Sequence, residues 1–301
     1  MNLKKTLVCV VGATASGKTT TAIELAQALN TEIVSADSRQ FYKELSIGTA
    51  KPTIEELAAA THHFVSHKSI LETYSAGDFE KDALQKIKEL FQIHNHVIMV
   101  GGSGMYINAV CNGLDALPKA TEATRSEIIE RYQKEGLQFL QQEVHAKDPA
   151  YFKTVDIQNP QRLMRALEVI YTTGMPFSNF LKQQAMVRDF DILKIGMHWE
   201  RAALYRRINT RVDEMIEQGL EKEASRFIEH KQNYALRTVG YTEFFDYFEG
   251  KQNLPQTIEL IKQHTRNFAK RQLTWFKRDT TIKWVDFKNK NAIFAALNST
   301  L

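Results

Sequence analysis

Two cysteines, Cys9 and Cys111, are all that the 301-residue chain contains. Isolated in sequence, they exclude a disulfide framework and a Cys-rich zinc site and fit a reducing, cytoplasmic compartment. Cys9 lies in an apolar run, so burial rather than reactivity is expected of it. No apolar run approaches the roughly 18 residues of a membrane span. An excess of one charge is also missing: the formal net charge is +4, only a mild bias toward a polyanionic partner. Internal repeats and low-complexity segments are absent. What remains is an ordinary globular mixture, 43% hydrophobic and 25% charged, long enough for a substantial core.

Strand and helix patterns alternate through the first third. TLVCVV (6–11) is a continuous β-rich run, as expected of a strand buried on both faces of a parallel sheet. Its neighbourhood, MNLKKTLVCVVGATA, imitates a secretory signal, but cleavage after Ala15 would cut a phosphate loop, so the strand reading is preferred. EIVSA (32–36) and HVIMV (96–100) read as further strands, with an amphipathic helix over 78–95 between them. The pattern predicts an α/β fold with a doubly wound parallel sheet, whose ligands bind at the strands' carboxyl ends. The loops starting at Gly12, Asp37 and Gly101 should therefore converge on one crevice. From about Pro118 only helices are legible, over 121–148 and 159–174; a strand pattern returns at ILKIGMHW (192–199), then helices at 201–230 and 256–278. The expected organisation is a catalytic core of residues 1–118 and 189–301 with a helical insertion at 119–188.

The strongest motif is Gly12-Ala13-Thr14-Ala15-Ser16-Gly17-Lys18-Thr19, which fits GxxxxGK[ST] between a predicted strand and helix. Backbone N–H groups and a helix N-terminus would cradle phosphates, Lys18 would neutralise them, and the Thr19 hydroxyl would help hold Mg²⁺. Phosphoryl transfer does not follow from this. A hydrolysing NTPase usually carries a strand ending in Asp, whereas HVIMV ends in Gly101-Gly102-Ser103-Gly104. A guanine-specifying NKxD is missing too, the nearest string being Asn289-Lys290-Asn291-Ala292. Asp37, closing the second predicted strand, could ligate metal, accept a proton, bind ribose or cap a helix. His62, His63 and His67 suggest a metal cluster, yet an adjacent pair points in different directions on any regular element, so none is expected. HAKDPAYF reads as a helix end and turn at Pro149.

GATASGKT, DSRQFYKELSIGTAKP (37–52), YSAGDF (74–79), GGSGMY (101–106), NPQRLMRALEV (159–169), RTVGY (237–241) and TRNFAKRQLTWFKR (265–278) occur in order. Together they resemble the tRNA dimethylallyltransferases, the bacterial tRNA isopentenyltransferase family, from about residue 6 to 285. The resemblance implies a P-loop NTPase-like core that moves a dimethylallyl group from dimethylallyl diphosphate to N6 of adenine 37 in tRNAs with A36-A37-A38 anticodon loops. Mg²⁺ would be the cofactor, and a cytoplasmic monomer the working form. It implies that Asp37 is the general base, that Lys18, the phosphate loop, Mg²⁺ and Arg237 stabilise the leaving diphosphate, and that Ser103 contacts nucleotide or diphosphate. It assigns tRNA contacts to Asp37, Ser38, Arg39 and Gln40, to Ser103 and Arg125, to Gln161, Arg162, Leu163, Met164 and Arg165, and to Arg237, Thr238, Val239, Gly240, Tyr241 and Thr242.

Residues 257–290 hold nine Lys/Arg against three acids, and Arg266, Lys270 and Lys277 fall near one helical face, as a phosphate backbone would require. Phe268, Trp275 and Phe276 are expected to pack into the core. Ala13 stands where the family usually has proline, Ser103 where it usually has threonine; neither change removes a group the chemistry needs. No cysteine follows Cys111, so the zinc finger of eukaryotic relatives has no counterpart here. Two other readings remain open: transfer to free AMP, ADP or ATP, which the helical insertion and basic helices disfavour, and a small-molecule kinase.

Overall fold

A computed structural model of the chain describes residues 5–181 and 186–298. Residues 1–4, 182–185 and 299–301, which the expected domain boundaries include, lie outside the described residues. In chain order the elements are β1 (Thr6–Val11), α1 (Lys18–Ala28), β2 (Ile33–Ser35), α2 (Ile54–Ala59), β3 (His62–His63), α3 (Ala76–Ile93), β4 (His96–Gly101), α4 (Gly104–Asn112), α5 (Glu122–Lys147), α6 (Pro149–Phe152), α7 (Pro160–Thr173), β5 (Asp191–His198), α8 (Arg201–Glu217), α9 (Leu220–Ser225), α10 (Tyr241–Phe248), α11 (Leu254–Phe276), β6 (Lys283–Asp286) and α12 (Lys290–Asn298). The strands form one sheet in the order β3-β2-β4-β1-β5-β6, with every pairing parallel. β1 is central, and all six of its residues are buried, which is why it reads as an unbroken apolar run. Val11 lies opposite both Gly101 and Gly196, so β1 and β4 end level while β5 runs two residues further, to His198.

Chain contacts divide the molecule into two compact units, residues 113–186 and the remainder. In the larger unit, α1 and α12 pack apolar residues such as Leu25, Ile293 and Leu297 with sheet residues Val8, Ile98 and Ile195. α3 shows how local sequence makes an element here. Phe79, Ala83, Ile87 and Leu90 recur at helical spacing and are buried, and Ser75 with Asp78 forms a reciprocal capping box at its start. A second cluster gathers Tyr42, Leu45, Leu220, Tyr241 and Phe244 around α9 and α10. Cys9 on β1 and Cys111 on α4, far apart in sequence, bring their buried thiols to 3.7 Å. Among the described residues no helix is long and apolar enough to cross a membrane.

The smaller unit is helical, built on α5 and α7 with a core that includes Phe139, Leu140, Leu163 and Leu167. Two expectations change. The long helix over 121–148 is broken at Gly136 (φ 74°, ψ −168°), a left-handed conformation that only glycine adopts without strain. Pro149 does not simply end a helix; it opens the short α6, whose start is capped by the Asp148 carboxylate accepting Tyr151 N–H at 2.9 Å. α7 is opened by Asn159 and Pro160 and closed by left-handed Gly174. On its buried side Glu168 accepts from Arg125 Nε at 3.0 Å and from Arg165 Nη1 at 2.9 Å. One nearly buried carboxylate therefore joins α7 to α5 through Arg125 and pairs with Arg165 within α7.

Replacing Glu168 by alanine leaves both guanidinium groups without that partner. Loss of this paired, mostly buried carboxylate should lower stability by about 1–3 kcal/mol. Urea unfolding of the full chain checks it; an unchanged midpoint would make the cluster ornamental.

Candidate active site

The segments leaving the carboxyl ends of β1, β2 and β4 face one another. A cavity of about 740 Å³ forms beyond them in the larger unit, lined by Thr14, Lys18, Thr19, Asp37–Gln40 and Gly101–Tyr106, and by residues of the 237–243 segment, α8 and α11. The three loops expected to meet do meet.

The phosphate loop adopts a tight turn in which Gly12, Ala15 and Gly17 all have positive φ. At Gly17 (φ 84°) a Cβ would also lie 2.2 Å from the Phe287 ring, so glycine is required twice over. The loop is tied down by distant side chains. Trp199 Nε1 donates to Ser16 O at 2.9 Å, Arg207 Nε to Ala15 O at 2.9 Å, and Gln272 Oε1 accepts from Thr14 N–H at 2.8 Å. Lys18 Nζ donates to Ala13 O at 2.5 Å. With these carbonyls engaged, an oxyanion is the natural partner for the loop's N–H groups and the first turn of α1. Gln272 also donates to Gly102 O at 2.9 Å, so one buried amide from α11 holds two of the converging loops.

Burial pushes the Lys18 ammonium down to about 8; Asp37 partly restores it and Arg211 lowers it further. Arg211, on α8, is likewise pushed down by burial and supported by Asp37. Two desolvated cations thus share one nearby carboxylate, an electrostatic deficit that a multiply charged anion would fill. Asp37 Oδ1 accepts Arg39 N–H at 3.0 Å, which orients the carboxylate and leaves its second oxygen to other partners. Ser103 Oγ accepts Ser38 N–H at 3.0 Å and donates to Ser38 Oγ at 3.1 Å, joining the β4 loop to the β2 loop. Arg39 reaches across to Tyr234 O at 2.9 Å and lies over the Tyr234 ring at 4.8 Å.

The remaining expected residues divide by exposure. Arg237, Thr238, Val239 and Thr242 line the cavity; Arg237 is exposed and donates through Nε to Gln232 O at 3.1 Å. Tyr241 is fully buried, its hydroxyl donating to Glu223 at 2.6 Å, so it packs the wall rather than presenting itself to a ligand. In the smaller unit Gln161 and Arg162 are exposed, while Leu163 and Met164 face the core because α7 turns its apolar side inward. Direct RNA contact from the side chains of Leu163 and Met164 is therefore withdrawn; their part is to pack the helix. Arg165 and Arg125 hold Glu168. The aromatic expectation holds for Phe276, which is buried, and fails for Phe268 and Trp275, which line the cavity and are 39% exposed.

The histidines are engaged singly: His63 Nε2 meets Glu32 Oε2 at 2.6 Å, and His62 Nδ1 meets Ala60 O at 2.8 Å. His67, packed edge-on to Phe41 and Tyr74, is pushed down by burial to about 4. Among the described residues no group of three or more His, Cys, Asp or Glu could hold a metal ion. Sequence reasoning missed Trp199, Arg207, Arg211 and Gln272. The i, i+4 spacing of Arg207 and Arg211 was a usable signal, since it puts both on one face of α8.

Lys18 generates a pH prediction. A lysine lowered to about 8 loses its charge as pH rises through 8, so affinity for inorganic diphosphate should fall there. In Lys18→Arg, which stays protonated, that component should vanish. Calorimetric titration of both proteins from pH 7 to 9 checks this; parallel profiles would remove Lys18 as the titrating contact.

Residues 40–279 match the profile of the family described as IPP transferase. The tRNA dimethylallyltransferase of Christiangramia forsetii is 50% identical over 296 residues, covering 98% of both chains. That of Flavobacterium johnsoniae is 47% identical over 289 residues, covering 94% of each. The full-length tRNA isopentenylpyrophosphate transferase of Bacillus halodurans superposes with a TM-score of 0.71 at 36% identity, over 98% of both chains. A eukaryotic dimethylallyltransferase solved acting on tRNA superposes with a TM-score of 0.80 at 26% identity, over 98% of this chain and 77% of the other. A phosphate loop facing Asp37 across one cavity, carried by a chain this similar to these enzymes from end to end, belongs to the IPP transferase family.

Proposed function

We propose that this protein transfers the dimethylallyl group of dimethylallyl diphosphate to N6 of adenine 37 in tRNAs with A36-A37-A38 anticodon loops, releasing diphosphate. The observation that carries the reading is a phosphate loop with two buried cations, Lys18 and Arg211, that both feel the carboxylate of Asp37 in one cavity.

Adenine N6 is a poor nucleophile because its lone pair is delocalised into the ring. As N6 forms its bond to C1 of the donor, the C1–O bond breaks and N6 must shed a proton. Asp37, oriented through Oδ1 by Arg39 N–H, takes that proton on its second oxygen. Charge grows meanwhile on the departing diphosphate, where Lys18, the loop N–H groups and Arg211 stabilise it. Arg237, on the same cavity wall, adds to that field. Ser103 supports the reaction by fixing Ser38 beside the base. Thr19, a hard oxygen donor lining the cavity, would help hold Mg²⁺ beside the diphosphate. When bound, that ion neutralises diphosphate charge. Reaching an anticodon-loop adenine requires the base to leave its stack, and exposed Phe268 and Trp275 offer apolar surfaces for RNA at the cavity. All of these groups come from one chain, so a monomer suffices.

The test is a competition for label from dimethylallyl diphosphate with Mg²⁺, between an anticodon stem-loop bearing A36-A37-A38 and free AMP and ATP. Label on A37 is expected; label on the free nucleotides would make the protein an adenylate prenyltransferase. Asp37→Ala should bind donor normally and lose 10²–10⁴-fold in turnover. Near-normal turnover would strip Asp37 of its role as base.

The helical unit is proposed to contact the same RNA through Arg162, the exposed member of the α7 pair. Arg162→Glu should weaken stem-loop binding and reduce the slope of log affinity against log salt by about one. An unchanged slope would mean that this arginine touches no phosphate.

A further inference from the structure

Gln40 presents an amide whose donors are already committed. Its Nε2 lies 3.1 Å from Thr49 O and 2.9 Å from Ala50 O. Carbonyl oxygens only accept, so the amide nitrogen, not its oxygen, must be the atom between them. An amide has two N–H donors and one carbonyl. With both donors taken, the group left for a ligand in the cavity is Oε1, an acceptor.

The turn that imposes this is itself held from below. Successive backbone N–H groups of Ser46, Ile47 and Gly48 donate to the Glu223 carboxylate at 3.1, 2.9 and 3.0 Å. The Tyr241 hydroxyl completes the set at 2.6 Å on Oε1. Glu223 is 8% exposed and belongs to α9, well removed in sequence from the turn. A carboxylate is the one side chain that can accept from all four donors at once; a glutamine would turn an NH₂ toward N–H groups. At the far end of the turn, Lys51 Nζ donates to Tyr42 O at 2.6 Å and Lys43 O at 3.1 Å.

We infer that Glu223 is a positioning residue that acts through the 46–50 turn on Gln40, and that Gln40 Oε1 reads the exocyclic amino group of a base next to the acceptor adenine. The inference rests on the tRNA-adenine reading above. An adenine offers one strong donor, its N6 amino group, on the edges a protein reads. Asp37 serves that group on the reacting base, so an acceptor three residues further along the same loop falls to a neighbour. Guanine there would set its O6 against Oε1, acceptor facing acceptor.

The experiment measures kcat/KM on anticodon stem-loops in which the adenosine 5′ or 3′ of the acceptor is replaced, separately, by purine riboside, which lacks the amino group. Wild type should lose about tenfold on one of the two RNAs, the worth of one hydrogen bond. In Gln40→Met and in Glu223→Gln that ratio should collapse to near one. Should Glu223→Gln not fold, Tyr241→Phe, which removes one donor to Glu223 and keeps the packing, should reduce the ratio in part. A purely structural Glu223 would lower activity on every RNA and leave the ratio at its wild-type value, which would overturn its positioning role. Equal wild-type activity on all three RNAs would overturn the reading by Gln40. Absence of transfer by wild type to any of them would instead overturn the functional reading beneath it, and this proposal with it.

Discussion

A lysine ammonium withdrawn from water is the constraint on which the rest of this structure depends. Burial lowers Lys18 to about 8, the Asp37 carboxylate offsets part of that, and the ammonium donates to the Ala13 carbonyl. Arg211 adds a second desolvated cation against the same carboxylate. Such a site is unfavourable when empty of anions and strongly favourable when a diphosphate enters, which is the form of preorganisation that lowers the barrier for a leaving group. The carboxyl ends of β1, β2 and β4 supply the scaffold. Helices α8 and α11 supply the struts, Arg207 and Gln272, that stop the loop from relaxing around its own charge.

Local sequence made part of this legible. Central strands could be read because burial on both faces leaves an unbroken apolar run, as at Thr6–Val11 and His96–Gly101. β3 and β6 escaped because they are two and four residues long and lie at the sheet's edges, where apolar character is not demanded. The phosphate loop was visible because its chemistry is local. Its supports were not. Gln272 reaches Thr14 across 258 residues and Trp199 reaches Ser16 across 183, and no periodicity encodes a contact that tertiary folding alone creates.

Motif-level assignment also blurs what side chains do. In the stretch Gln161–Arg165, the α-helix turns Leu163 and Met164 inward while Arg162 remains outside, and Arg165 is partly drawn onto Glu168. In 237–242, Tyr241 is buried under the same loop that its neighbours line. Within one contiguous motif, some side chains therefore pack the core while their neighbours stay exposed or line the cavity. The converse holds for Phe268 and Trp275, which read as core yet line the cavity. Helical periodicity tells which residues share a face; it does not say whether that face meets a neighbour or a site.

The departures from the family pattern are informative because each keeps the atom the geometry uses. Ala13 stands for proline, but what matters at that position is its buried carbonyl, the acceptor for Lys18, and proline and alanine offer the same carbonyl. Ser103 stands for threonine, and both of its hydrogen bonds run through the hydroxyl to Ser38, so the missing methyl changes packing and not connectivity. Glu223 sits at the other extreme, since four donors converge on one carboxylate and no neutral side chain could accept them all. Tolerance in this site is thus set by counting donors and acceptors. Positions that contribute a backbone group or a single hydroxyl can vary, and positions whose charge satisfies several buried donors cannot.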